Sequence, residues 1–140
     1  MPQPLFSTPY SSILLDRNNQ LLEARIASDE QWRFPPSKTL PKPYISALLL
    51  FEDKRFYEHI GIDGLALARA TLQNLKAGKV VSGASTISMQ VIRLARKGQS
   101  RTITTKILES LQALRLEFSY SKAEILNLYA SHAPFGGNVV

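Results

Sequence analysis

The sequence predicts a mainly α domain preceded by a short β-hairpin, and three observations lead there. From Pro43 to Tyr129 apolar residues recur at three- and four-residue intervals, the period of helices with one buried face. These stretches are bounded by capping residues, glycines and prolines. Before residue 36 the pattern differs, with two short apolar runs flanking a polar turn.

Residues 1–12, rich in Pro and Ser, read as a loose lead-in. Ile13-Leu14-Leu15, Asp16-Arg17-Asn18-Asn19-Gln20 and Leu21-Leu22-Glu23-Ala24 read as strand, turn, strand. A lone hairpin is marginal in water and leaves open edges, so partner strands are expected elsewhere. Trp32, Phe34, Pro35 and Pro36 mark an extended connector, because proline fixes φ and removes a donor. Pro43 suits the first turn of a helix running through Ala47, Leu50 and Phe51. Asp63 caps a second helix with Leu65, Ala68, Leu72 and Leu75 on one face and Gly78 as its stop. Ser85 or Thr86 caps a third, through Val91 and Leu94 to Gly98. Ile103, Ile107, Leu111 and Leu114 line a fourth. Ser121-Lys122-Ala123-Glu124 is a capping box for a fifth, through Ile125, Leu128 and Tyr129. This divides the chain into a lead-in with hairpin, 1–36, and a helical part, 37–140.

A length of 140 residues with 44% hydrophobic and 20% charged content fits one folded domain and is too short for two. Without cysteine there is no disulfide and no thiolate metal site. The net charge of +6 favours anionic partners, either phosphate groups or an acidic lipid surface. Nucleic acid is disfavoured, since no recognition motif and no aromatics interleaved with basic residues occur. No segment approaches the roughly 20 apolar residues that cross a bilayer, and Met1-Pro2-Gln3-Pro4 has no signal-peptide character.

The chemistry concentrates where the apolar run Ile45 to Phe51 ends in two adjacent carboxylates, Glu52 and Asp53. A carboxylate ending a packed helix is held by the core while facing a cleft. Partial desolvation in such a place raises a carboxylate's pKa and suits it to proton abstraction. A second acid, Glu109, sits among Arg101, Lys106 and Arg115. Paired carboxylates in separate environments are how glycosyl-transfer sites divide their labour. Gly83-Ala84-Ser85-Thr86 leads into a helix, where free N–H groups and hydroxyls suit phosphate or serve as an ordinary cap. Lys106 and Glu109, three apart, share a helix face; a surface ion pair there would contribute little.

Glu52-Asp53-Lys54-Arg55-Phe56-Tyr57-Glu58-His59-Ile60-Gly61 resembles the first motif of the peptidoglycan glycosyltransferases, glycosyltransferase family 51. Gly83-Ala84-Ser85-Thr86-Ile87-Ser88-Met89-Gln90 resembles the second, Lys106-Ile107-Leu108-Glu109 the third and Lys122 to Tyr129 the fourth. Met89 in place of the usual glutamine, with Ala133-Pro134-Phe135-Gly136-Gly137-Asn138, is similar to the 1C type of class A penicillin-binding protein. The departures are Arg93 where lysine is frequent, Thr105 where arginine is usual, and Ala130-Ser131 for Leu-Asn.

The resemblance implies a lysozyme-like fold, here incomplete. Family members carry a membrane anchor before this stretch and continue past it into a transpeptidase domain. The implied activity is polymerisation of lipid II at the periplasmic face of the inner membrane. The implied catalytic residues are Glu52, as general base, and Glu109. The implied substrate-binding set is Asp53, Phe56, His59, Gly83, Ser85, Thr86, Gln90, Arg93 and Lys106. Of these, Asp53, Phe56 and His59 support the site, Ser85, Thr86 and Gln90 hold the donor's pyrophosphate or sugar, and Lys106 neutralises the leaving pyrophosphate. Glu109 positions Lys106, directly or through a divalent cation (Mg or Mn). The implied partners are lipid II, the growing glycan strand, the membrane surface and other cell-wall synthesis proteins. The alternative is a non-catalytic module that binds lipid or a partner.

Overall fold

The computed structural model describes residues 5–35, 39–80, 83–96, 100, 102–134 and 139. Among these residues the elements are a two-stranded antiparallel sheet, β1 (Ser12–Leu15) and β2 (Leu21–Arg25), followed by five α-helices. The helices are α1 (Lys42–Glu52), α2 (Gly64–Ala77), α3 (Ile87–Ala95), α4 (Ile103–Ser119) and α5 (Lys122–His132), with a 3₁₀ turn at Phe56–Glu58. The mainly helical class with a short hairpin is what the sequence predicts.

Local chemistry sets the boundaries. In the hairpin turn, Asp16 Oδ1 accepts from the N–H groups of Asn18 (2.7 Å) and Gln20 (2.8 Å), and Asn19 adopts φ 61°. Asp63 caps α2 by accepting from Ala66 N at 3.0 Å, and Gly78 ends it at φ 63°. Thr86, rather than Ser85, caps α3, and Ser121 with Glu124 forms the capping box of α5. Helix α3 ends at Ala95, before Gly98, which lies outside the described residues, as do Pro36, Val81, Arg101 and Phe135-Gly136-Gly137-Asn138.

Helix α3 is the centre of the core, packed between α4 and α5. Ile87, Val91 and Ile92 are buried there with Leu116 of α4, Ile125 and Leu126 of α5, and Phe56. Helices α1 and α2 are peripheral. No residue of α1 is fully buried and only Ala70 of α2 is, while Ile45, Leu48 and Leu49 rest against the core.

Two expectations are corrected. Over its described residues, 5–12, the lead-in is anchored, not loose. Phe6 stacks on His132 with ring centroids 3.6 Å apart, and Ser11 N donates to Arg33 O at 2.7 Å. Arg33, 3% exposed, donates to Pro9 O and Asp29. The apolar stripe of α4 also faces outward, with Ile103 82%, Ile107 54% and Leu111 58% exposed. The face turned to α3 carries Glu109, Ala113 and Leu116. Two positions along a helix turn about 200°, so fixing Glu109 against α3 points Ile107 and Leu111 away.

Candidate active site

Glu52 is the last residue of α1, and Asp53 leaves the helix at φ −160°, ψ 79°. Adjacent carboxylates therefore have opposite surroundings: Glu52 is exposed and Asp53 is buried. The partial desolvation expected of Glu52 is absent, because α1 lies at the edge of the fold. Its position is set instead by Gln90 on α3, whose Nε2 donates to Glu52 Oε2 at 2.8 Å. Gln90 Oε1 in turn accepts from the Tyr129 hydroxyl of α5 at 3.3 Å.

Asp53 ties the following loop to the core. Its two oxygens lie 3.0 and 3.1 Å from His59 Nε2, which must donate because a carboxylate only accepts. Asp53 Oδ2 also accepts from Ile87 N at 3.1 Å, placing negative charge at the N-terminus of α3. Phe56 is 1% exposed and sits in the core. His59 O accepts from Lys122 Nζ at 2.7 Å, and that ammonium lies 4.3 Å from the Phe56 ring centroid and 2.7 Å from Glu117. Asp53, Phe56 and His59 thus hold the loop to the core, and Asp53 also lines the cleft beside Glu52.

Thr86 has a structural duty as the cap of α3. At 2% exposure, its hydroxyl accepts from Met89 N at 3.2 Å and gives its proton to Gly61 O at 2.6 Å. Gly83, Ser85 and Thr86 line an open cleft of about 200 Å³ together with Glu52 and Asp53. Lys54, Arg55 and Arg69 line it too. Those three cations were not among the predicted site residues, although two fall inside the first motif. Arg69 is signalled only by spacing: Asp63, Ala66 and Arg69 stand at i, i+3 and i+6 on one face of α2. Arg55 bonds Glu58 (2.8 Å) and Asp63 (3.3 Å). Burial pushes the Asp63 carboxyl up, but the Ala66 N–H and the Arg55 charge outweigh it and hold Asp63 below the usual carboxylate range.

The second acid is paired across helices. Glu109, 6% exposed, takes a two-pronged contact from Arg93 of α3, with Nε at 3.0 Å and Nη2 at 2.8 Å. That bond to Glu109 holds the Arg93 guanidinium above its usual value, against the effect of burial. The expectation that Glu109 positions Lys106 is corrected: Glu109 serves Arg93, and Lys106, exposed one turn earlier on α4, has no ion pair among the described residues. The Arg93 guanidinium already matches the Glu109 charge, so a lone carboxylate there does not fit a divalent cation. Among the described residues no three His, Cys, Asp or Glu side chains gather in a metal-holding group.

An exposed carboxylate beside a cluster of cations is an arrangement that can serve transfer of a group that leaves as an anion. The chain belongs to the transglycosylase family, whose model matches residues 18–140. It is 37% identical to penicillin-binding protein 1C of Escherichia coli (strain K12) over 139 residues, 99% of this chain and 18% of that protein. It is 38% identical to penicillin-binding protein 1B of Haemophilus influenzae over 84% of this chain and 15% of that protein. With penicillin-binding protein 1A/1B of Bacillus subtilis it shares 34% identity over 91% of this chain and 14% of that protein. The chain therefore spans less than a fifth of the length of these relatives.

Proposed function

We propose that this segment carries the catalytic base of a peptidoglycan glycosyltransferase that polymerises lipid II, and so contributes to cell-wall growth and cell shape. The observation that carries the reading is Glu52: exposed on a cation-lined cleft, with one carboxylate oxygen tied to Gln90. Glu52 takes the proton of the GlcNAc 4-hydroxyl of lipid II. The freed oxygen bonds to the anomeric carbon of the lipid-linked end of the growing strand. The bond from that carbon to the pyrophosphate oxygen breaks with inversion, and undecaprenyl pyrophosphate leaves carrying the electron pair. Cations near the reacting ends stabilise charge where it develops. Lys106 and the cleft cations Lys54, Arg55 and Arg69 are the groups assigned to this work, while Arg93 and Glu109 hold α3 and α4 in register.

Membrane association at the periplasmic face fits the outer surface of α2. Leu65 (68%), Leu72 (58%) and Leu75 (74%) are exposed there, near Phe51 (85%) and Val80 (87%), with Arg69, Lys76 and Lys79 beside them. Among the described residues no helix is long and apolar enough to cross a membrane. An apolar strip flanked by cations suits contact with an anionic lipid surface.

The test is polymerisation of labelled lipid II by the full-length gene product and by its Glu52→Gln variant. Loss of strand elongation with lipid II binding retained supports the assignment. Near-normal turnover in Glu52→Gln overturns it, and lipid binding without polymerisation by the wild-type protein would favour the non-catalytic module.

A further inference from the structure

Tyr129 lies in the fourth motif, and nothing above gives it a role in the chemistry. It is 9% exposed, on α5, and its hydroxyl reaches the same glutamine that holds Glu52. We propose that Tyr129 is a positioning residue for Glu52, acting through the side-chain amide of Gln90 so that Glu52 Oε2 is anchored and Oε1 is the oxygen that takes the acceptor's proton. The inference rests on the reading of Glu52 as general base.

Hydrogen-bond polarity fixes the direction of the chain of contacts. An ionised carboxylate only accepts, so Gln90 must present its NH₂ to Glu52. Its carbonyl then faces Tyr129, which must donate. Each group is used in the one sense available to it, and a flipped amide would set oxygen against oxygen at the carboxylate. The phenol stays a donor at any working pH, because burial and then the Glu52 and Tyr44 charges push it up to about 12. Helix α3 is held between α4 and α5 by a buried core, so Gln90 and Tyr129 are presented from rigid elements. Glu52 is not: it ends a peripheral helix without a fully buried residue. Its Oε2 contact with Gln90 is the bond that joins this exposed carboxylate to the core. A general base displaced by a fraction of an ångström loses rate while substrate binding survives, and removing the phenol hydroxyl frees the amide to rotate.

The test is a double-mutant cycle on lipid II polymerisation by the full-length gene product, with Tyr129→Phe, Gln90→Ala and the double variant. Gln90→Met, which keeps the side-chain volume, reads the same link from α3 should the phenylalanine variant fold poorly. The expected result is a kcat lowered about 10-fold in Tyr129→Phe and 10- to 100-fold in the Gln90 variants, with KM within about twofold. Because one residue acts through the other, Tyr129→Phe has no further effect in the Gln90→Ala background. A merely structural tyrosine would lower melting temperature and multiply its effect with that of Gln90→Ala. Wild-type kcat in Tyr129→Phe and Gln90→Met, multiplying effects, or a loss confined to KM each overturn the proposal. Glu52→Gln is run in parallel. If it keeps turnover, the base assignment has failed; if it is dead while Tyr129→Phe and Gln90→Met are unimpaired, only the positioning role has failed.

Discussion

Gly61 closes the first motif, and replacing it with alanine tests whether the loop behind Glu52 is seated as described. Two separate costs meet at this position. Its φ of +73° is left-handed, and a non-glycine residue there costs about 1–2 kcal/mol. A Cβ would also stand 2.8 Å from the carbonyl carbon of Ala113 and 2.8 Å from Leu114 N, both backbone atoms of α4 that cannot swing aside. Carbon contacts are comfortable at about 3.5–4.0 Å, so the loop must retreat by most of an ångström. Overpacking of that kind costs about 1–3 kcal/mol. Retreat also stretches the 2.6 Å bond from Thr86 Oγ1 to Gly61 O, worth about 1 kcal/mol more. The total is about 3–6 kcal/mol against a typical net stability of about 5–15 kcal/mol. At about 2–4 °C per kcal/mol for a chain near this size, the melting temperature should fall by roughly 6–24 °C. Two other glycines separate the costs. Gly78 has φ +63° and open space around its Cβ position, so Gly78→Ala should lose only the backbone part, about 1–2 kcal/mol. Gly64 opens α2 with neither problem, and Gly64→Ala should be neutral or stabilising by about 0.5 kcal/mol. Thermal unfolding followed by circular dichroism ranks the three. A Gly61→Ala transition within about 3 °C of Gly78→Ala would show that the loop is not pressed against α4.

Lys122→Met should cost about 2–3 kcal/mol, because Glu117 (side chain 5% exposed) loses its ammonium partner and His59 O loses a donor. Hydrogen exchange at residues 58–61 should accelerate in that variant, and unchanged protection would remove Lys122 as the clamp on this loop. Asp63 predicts a pH effect whose sign follows from its lowered pKa. Its contribution to stability is complete above the unfolded value of about 3.9 and is lost as pH falls through the folded one. The melting-temperature gap between wild type and Asp63→Asn should therefore be constant from neutral pH down to about 5 and narrow below about 4. A gap that widened on acidification would reverse the sign. On α2, Leu72→Glu with Leu75→Glu should weaken co-sedimentation with phosphatidylglycerol vesicles at least about 10-fold, since each buried leucine stabilises by about 1.5–3 kcal/mol. Added salt should weaken the wild-type interaction through Arg69, Lys76 and Lys79, and binding indifferent to both would leave the strip without a lipid role.

What the sequence made legible was mostly local. Asp63, Gly78, Ser121 with Glu124, and the Asp16–Gln20 turn each act through neighbours three or four residues away, and each is where the pattern puts it. Contacts between helices were not legible. Glu109 was matched to Lys106 because spacing along one helix was the available cue, whereas its partner Arg93 is sixteen residues away. The same limit explains α4. Ile103, Ile107 and Leu111 form the more apolar stripe, yet the helix turns them outward because its Glu109–Leu116 face fits α3. At the site, Glu52 and the motif around it could be singled out from the sequence. That Asp53 and Thr86 spend their polar atoms inside the fold could not, because burial is a property of the assembled helices.

Helix α3 is where polar substitutions should cost stability most broadly. It is the most buried helix described, with Ile87 and Val91 at 0% exposure and Ile92 at 2%, and yet a polar contact leaves it at nearly every step. Thr86 reaches Gly61, the Ile87 N–H reaches Asp53, and Ser88 reaches Glu117. Gln90 then reaches Glu52 and Tyr129, and Arg93 reaches Glu109. The helix is thus both the apolar centre of the fold and the hub that bonds to α1, the loop after it, α4 and α5. A buried donor or acceptor left without its partner costs about 1–3 kcal/mol, so the links of Thr86, Ile87, Ser88 and Arg93 are held in place by stability, whatever they do for chemistry. Loss of activity on mutating Thr86, Ser88 or Arg93 would therefore not by itself make that residue catalytic. Gln90 differs, because one of its partners, Glu52, is exposed and can be rehydrated when the bond is lost. A substitution there should lower turnover more than it lowers melting temperature, whereas Thr86 and Ser88 should lose the two together.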